Sequence, residues 1–332
     1  MARATVQDVA KTAGVSVGTV SRVLNGSPAV SKASKEKVTA AILQLNYRPL
    51  ASARDLRRDR TMRILALAKN LNSPVISEVF RGVGDAAAVS GYVSLIAPTA
   101  GDLEREQQLV DMLRNGSVDG LIMFSPTMPD EDMEEMAEQL CVVQVCEIAD
   151  SEAAFGVSID DRKAAFDITQ HLIETGGRRL AMIGNRAARS GRLREEGFRQ
   201  AAAEAGLSPD QMLFVEGEFD FHTGRRLTRK LLAADPLPDA VFCGSDTVAA
   251  GCVREITDAG MRVPEDIAVA GFDDSIQAEM CVPELTTIRQ PAYDMGRVAF
   301  GELLARMTVP AVHRRGRIFL PHDLVVRDST RN

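Results

Sequence analysis

Residues 7–26 read QDVAKTAGVSVGTVSRVLNG. Two readings compete for them. Gly14-Val15-Ser16-Val17-Gly18 fits G-x-S-x-G, the elbow that presents a nucleophilic serine, but the same letters also fit two short helices joined by a tight turn. An elbow needs a buried strand before its serine and a helix after it. Val6, Val9, Ala10 and Ala13 instead recur at helical spacing behind Thr5, a good N-cap. Gly14 ends that helix, and Ser16 caps a second one whose Val20, Val23 and Leu24 face inward. Ser16 therefore reads as a cap. Helices separated by so few residues must cross steeply. That is the helix-turn-helix arrangement, with the second helix free to enter a major groove. A third helix is expected from Ser31, with Val38, Ala41, Ile42 and Leu45 along one face.

The charge distribution agrees. Residues 1–60 hold 11 Lys/Arg against 4 Asp/Glu, a balance of +7; the whole chain carries −7, so residues 61–332 carry −14. A small basic head on a large acidic body is the layout expected when one end meets a polyanion.

The quoted stretch resembles the DNA-binding head of the lactose-repressor (LacI/GalR) family of bacterial transcription regulators. The likeness continues through VSKASKEKVTAAILQLNYRPLASARDLR (30–57). It implies that the second helix reads bases through Val17, Gly18 and Arg22. An arginine there can make the bidentate contact to guanine O6 and N7, worth about 1–3 kcal/mol against a wrong base. Thr5, Ser16, Thr19, Ser21, Asn25 and Ser31 would serve the phosphates, which set register without carrying sequence information. Pro49 disfavours helix at Arg48 and marks a boundary. Residues 50–57 have helical composition but are too short to be stable alone in water. The resemblance makes them a hinge helix that orders in the minor groove. Leu56 would be the wedge that unstacks a central base step, with Ala53 packed beside it. Leu50 stands where the family usually has Asn.

Beyond the head, apolar runs alternate with helical stretches. Candidate strands are 63–68, 92–97, 119–124, 141–145, 156–159, 179–184, 213–217, 239–244 and 266–272. Such alternation predicts an α/β body of parallel sheets covered by helices on both faces. The strands are too many for one ordinary sheet, so two doubly wound subdomains are expected, with ligand bound at the carboxyl ends of the strands. The resemblance extends here through DAVFCGSDTVAAG (239–251), GMRVPEDIAVAGFDDS (260–275) and PELTTIRQP (283–291), and implies a periplasmic-binding-protein-like effector domain. The chain then divides into a helix-turn-helix head (1–48), a hinge helix and linker (49–61), and an effector-binding and dimerisation domain (62–332). Its subdomains are 62–160 with 290–322, and 161–289.

By the same resemblance the effector cleft is lined by Val75, Ile76, Ser125, Asp160, Ser190, Arg194, Phe219, Ser245 and Asp273. Arg194 and Asp273 would clamp hydroxyls through charge-assisted hydrogen bonds, while Phe219 covers an apolar face. Val75 and Ile76 stand where aromatics are common, which favours a sugar or small polyol. SEVFRGV, AVFCGSD and TTIRQPAYDMG look like nucleoside-responsive members, so a nucleoside is the second candidate.

Other chemistry finds no support in the letters. Gly82-Val83-Gly84 falls inside a helix rather than at a strand-to-helix turn, which is wrong for a dinucleotide fingerprint. The five cysteines are scattered and never in C-x-x-C spacing, as expected of reduced structural thiols. No catalytic constellation, metal site or cofactor is expected. The first residues, MARATVQDVA, lack an apolar leader core, and no 18-residue apolar run occurs. The reading is a cytoplasmic, nucleoid-associated dimer whose partners are double-stranded operator DNA and a carbohydrate or nucleoside effector, with no membrane. A transporter's solute-binding protein would share the body, but would need a leader and have no use for residues 1–60.

Overall fold

The computed structural model describes residues 4–24, 27–47, 60–149, 155–309 and 315–330, and the chain divides into two compact units, 1–61 and 62–332. The first unit holds α1 (Val6–Ala13), α2 (Val17–Leu24) and α3 (Lys32–Gln44). Thr5 caps α1 in a reciprocal capping box with Asp8. Gly14 ends the helix at φ 64°, a left-handed conformation that costs glycine nothing, and its N–H donates to Ala10 O and Lys11 O. That single residue lets the chain turn at once into α2. Ser16 Oγ accepts from Thr19 N at 3.1 Å, so the serine of the G-x-S-x-G match is a cap between two helices. Val9, Ala10, Ala13, Val20, Val38 and Ala41 form the small core.

The second unit is built on two parallel sheets. The six-stranded sheet runs β11-β5-β4-β3-β1-β2, from β1 (Arg63–Ala68), β2 (Val93–Pro98), β3 (Gly120–Phe124), β4 (Val142–Val145), β5 (Phe155–Ser158) and β11 (Gly316–Phe319). The four-stranded sheet runs β7-β6-β8-β9, from β6 (Leu180–Gly184), β7 (Met212–Glu216), β8 (Ala240–Cys243) and β9 (Ala268–Ala270). A separate antiparallel pair joins β10 (Thr287–Arg289) to β12 (Asp323–Val325). The central strands are apolar throughout because helices cover both faces: β3 and β6 are buried along their whole length. Around the first sheet lie α4 (Pro74–Val89), α5 (Leu103–Arg114), α6 (Asp130–Gln139) and α12 (Ala292–Thr308). Around the second lie α7 (Asp161–Glu174), α8 (Arg189–Glu204), α9 (Phe221–Leu232) and α10 (Asp246–Asp258), followed by the short α11 (Ile276–Met280). Some helix pairs touch backbone to backbone. A Cβ on Gly82 of α4 would stand 2.0 Å from the carbonyl oxygen of Tyr293 in α12, so no larger residue fits.

Every strand read from the sequence is present to within two residues at each end. The reading missed β10, β11 and β12, which are three or four residues long and hold at most two buried residues in a row. The chain passes three times between the part built on the six-stranded sheet and the part that holds the four-stranded sheet and the antiparallel pair: from β5 into α7, from β10 into α12, and from β11 into β12.

Candidate functional site

The carboxyl ends of the strands of both sheets face one cavity of about 700 Å³, inside the range of small-molecule sites. Lys69 and Asn70 follow β1, Ser125 follows β3, and Cys146 and Glu147 follow β4. From the other sheet come Asn185 after β6, Glu218 and Phe219 after β7, Ser245 after β8 and Asp273 after β9. Three of these residues, Ser125 (φ 46°), Cys146 (66°) and Asp273 (123°), hold left-handed backbone conformations without being glycine. Such conformations cost about 1–3 kcal/mol each and persist where the surroundings fix them, as at binding sites.

Arg194 is the cation at the cavity's base, 6% exposed. Its Nε donates to Asp161 Oδ1 at 2.8 Å and its Nη1 to Gly244 O at 2.7 Å. The guanidinium lies 3.6 Å from the centroid of the Phe272 ring and 5.9 Å from that of Phe219. Burial opposes its charge, but Asp161 and Asp273 outweigh burial and raise its pKa. Asp273 Oδ1 accepts from Gln290 Nε2 at 2.7 Å; burial pushes its pKa up to about 8 against the pull of Arg194. Behind it the fully buried Asp246 accepts from Thr287 Oγ1 at 2.6 Å and from Ser275 N at 2.7 Å. Burial raises the Cys146 thiol, which therefore lines the cavity as a neutral group. Two contacts join the sheets across the cavity. Glu147 accepts from Ser190 N at 3.0 Å and from the Ser190 hydroxyl, and Lys69 Nζ stands 3.9 Å from Glu218 Oε1.

Of the residues read from the sequence, Val75, Ile76, Ser125, Ser190, Arg194, Phe219, Ser245 and Asp273 all line this cavity. Asp160 does not. It is exposed and caps α7, accepting from Lys163 N at 3.0 Å, while its neighbour Asp161 turns inward to Arg194. Sequence reasoning missed Asp161, Glu147, Asn185 and Gln290. Their common signal for the first three is position: each lies within three residues after the end of a parallel strand.

In the head, Val17, Gly18 and Arg22 lie exposed on α2. Thr5 and Ser31 are exposed caps of α1 and α3, Ser16 is exposed at the start of α2, and Thr19 and Ser21 are half-buried. A Cβ on Gly18 would meet nothing closer than Ser16 Oγ at 3.7 Å, so packing within the head does not require glycine there. Asn25, Leu50, Ala53 and Leu56 lie outside the described residues, as does most of the hinge segment. Among the described residues, no group of three or more His, Cys, Asp or Glu is arranged to hold a metal ion, and no helix is long and apolar enough to cross a membrane.

Comparison with known proteins places both units. Residues 5–49 match the family model of bacterial regulatory proteins of the lacI family, and residues 169–330 match a periplasmic binding protein-like domain. The HTH-type transcriptional repressor CytR of Escherichia coli K12 is 34% identical, over 99% of this chain and 96% of its own. A crystal structure of the lac repressor dimer, bound to operator and the anti-inducer ONPF, superposes with a TM-score of 0.86 at 28% identity and covers both chains fully. A complex of the transcriptional regulator CelR with cellobiose superposes with a TM-score of 0.75 at 33% identity, over 98% of this chain and all of the other.

Proposed function

The chain belongs to the lacI family of bacterial regulatory proteins, and from that premise we propose that it is a DNA-binding repressor whose operator affinity is set by a small molecule in the cavity at Arg194 and Asp273. Its relatives are transcription regulators, and no catalytic role is assigned to Ser16 or any other residue. The observation that carries the reading is the pairing of two features in one chain. One is a helix-turn-helix whose α2 presents an exposed Arg22; the other is a cavity at the carboxyl ends of two parallel sheets, with strained backbone and buried charged groups in its lining.

The operator is pseudo-palindromic and is met by two heads of a homodimer, with the hinge segments at its centre. Two apolar faces suit that dimer. Val89 is exposed at the end of α4, Val93 and Ile96 on the edge strand β2, and Ile276, Met280 and Val282 at and just after α11. The protein works in the cytoplasm, on the nucleoid. Effector binding changes how the two sheets close on the cavity and thereby the order of the hinge. A coupling of about 1–3 kcal/mol would change operator affinity 5–150-fold. The effector is a carbohydrate or small polyol, with a nucleoside as the second reading. The supports are the aliphatic wall of Val75 and Ile76, the stacking ring of Phe219, and a cavity rich in hydrogen-bonding groups.

Thermal melting against sugars, polyols, nucleosides and purines tests this. A ligand at about 100 times its Kd adds roughly 2.7 kcal/mol to the stability of the domain that binds it. The shift is expected from a sugar or polyol and is abolished in Asp273→Asn. A shift that survives Asp273→Asn puts the site elsewhere, and a purine or nucleoside hit replaces the carbohydrate reading.

A further inference from the structure

We propose that Glu147 makes the cavity select against anions, so that the effector is a neutral or cationic polyhydroxyl compound rather than a sugar acid or sugar phosphate. This rests on the reading of the cavity as an effector site and narrows its ligand class.

The cavity has two features that attract an anion. One is the N-terminus of α8, where free N–H groups and the helix dipole favour negative charge. The other is the buried guanidinium of Arg194. The first is filled, and the second partly filled, by carboxylates of the chain. α8 has no capping side chain of its own. Glu147 supplies the missing acceptor from the end of β4, on the opposite sheet, through both the N–H and the hydroxyl of Ser190. Arg194 is held by Asp161 at 2.8 Å and by the Gly244 carbonyl at 2.7 Å. Asp273 then adds a further carboxyl to the same wall.

An incoming carboxylate or phosphate would have to displace Glu147 from α8. The freed charge would be left beside the buried Asp161, in a recess only partly open to water where like charges repel more strongly than in bulk solvent. The three carboxyls do share one neighbourhood, since the charges of all three act on both Arg194 and the Cys146 thiol. The rim does not reverse the balance. Lys69, Arg189 and Arg192 are there, but Lys69 is drawn to Glu218, and Asp130 and Asp220 share the lining. Around the whole cavity six carboxyl groups, of which Asp273 keeps its proton to about pH 8, face four cations. A neutral hydroxyl meets no such obstacle, because it can donate to Glu147, Asp161 or Asp273 while each stays where it is.

The test uses the full chain and inorganic phosphate as probe, by calorimetry at matched ionic strength. Wild type should bind phosphate negligibly, and Glu147→Gln at least tenfold more tightly. Adding Ser190→Ala to Glu147→Gln should remove most of the gain, which a merely structural effect of the first substitution would not do. A second arm uses wild type alone, so it holds even if a variant fails to fold. Glucose against glucuronate, and ribose against ribose 5-phosphate, should shift the melting temperature only with the neutral member of a pair. Tight phosphate binding by wild type, no gain in Glu147→Gln, or an anionic sugar binding more tightly than its neutral parent would each overturn the proposal. A gain in Glu147→Gln with no sugar, polyol or nucleoside binding upholds anion exclusion and removes the carbohydrate reading instead.

Discussion

Asp273 carries two constraints at once: a left-handed φ of 123° and a buried carboxyl in the cavity beside Arg194. Burial raises its pKa to about 8, and those of Asp161 and Asp246 to about 6. A folded-state pKa above the unfolded one means that the native protein binds more protons, so stability falls as pH rises between the two values. For Asp273 that window runs from about 4, the unfolded value, to about 8. The ligand-free Asp273→Asn variant, which does not titrate there, should gain stability relative to wild type steadily from pH 4 to pH 8. Paired denaturant titrations across that range check it, and a flat difference would mean that the carboxyl is ionised throughout. At this scale the sequence was legible only in part. In SIDDRK the two aspartates are equivalent as letters, yet Asp160 caps its own helix while Asp161 pairs with Arg194, 33 positions on. Only the fold decides which of them turns inward.

The elements themselves were largely readable. Helix caps at Thr5, Ser16 and Ser31 are local hydrogen bonds that short-range sequence specifies, and the structure has all three. Strands buried on both faces announce themselves as continuous apolar runs, as in β1 and β3. The strands β10, β11 and β12 gave no such signal, because they are short and their pairing is settled by partners far along the chain. α2 holds one departure from good helix composition. Gly18 is exposed, has open space around it and takes no left-handed φ, so glycine there costs about 1 kcal/mol relative to alanine without a gain in packing. Gly18→Ala should therefore stabilise the head by up to about 1 kcal/mol. Because the residue lies on the face that presents Arg22, the same change should alter base preference beside the arginine's contact. Melting of the head and binding to a set of operator variants measure the two effects. Unchanged base preference would move the reading face away from Gly18.

At the scale of the whole molecule, the basic first sixty residues and the acidic remainder correspond to a three-helix head and a two-sheet body, and the chain as a whole aligns with regulators of the lacI family. The charge asymmetry and the periodicity of the strands foretold that architecture, because net charge and apolar spacing are properties of long segments that survive local error. A ligand site at the carboxyl ends of the strands followed from the alternation of strands and helices, whereas the residues lining it were foretold only through the resemblance, since strand ends far apart in sequence meet there in space. The most direct test is enrichment of duplexes from a random DNA library by the intact protein, in parallel with Arg22→Ala. The account predicts a pseudo-palindromic site for wild type and relaxed preference at one base pair in each half for the variant. It also predicts binding that weakens steeply with salt, by roughly 0.9 log units per log unit of salt for each phosphate neutralised. No enriched site, or the same site with the same preferences from Arg22→Ala, would contradict it.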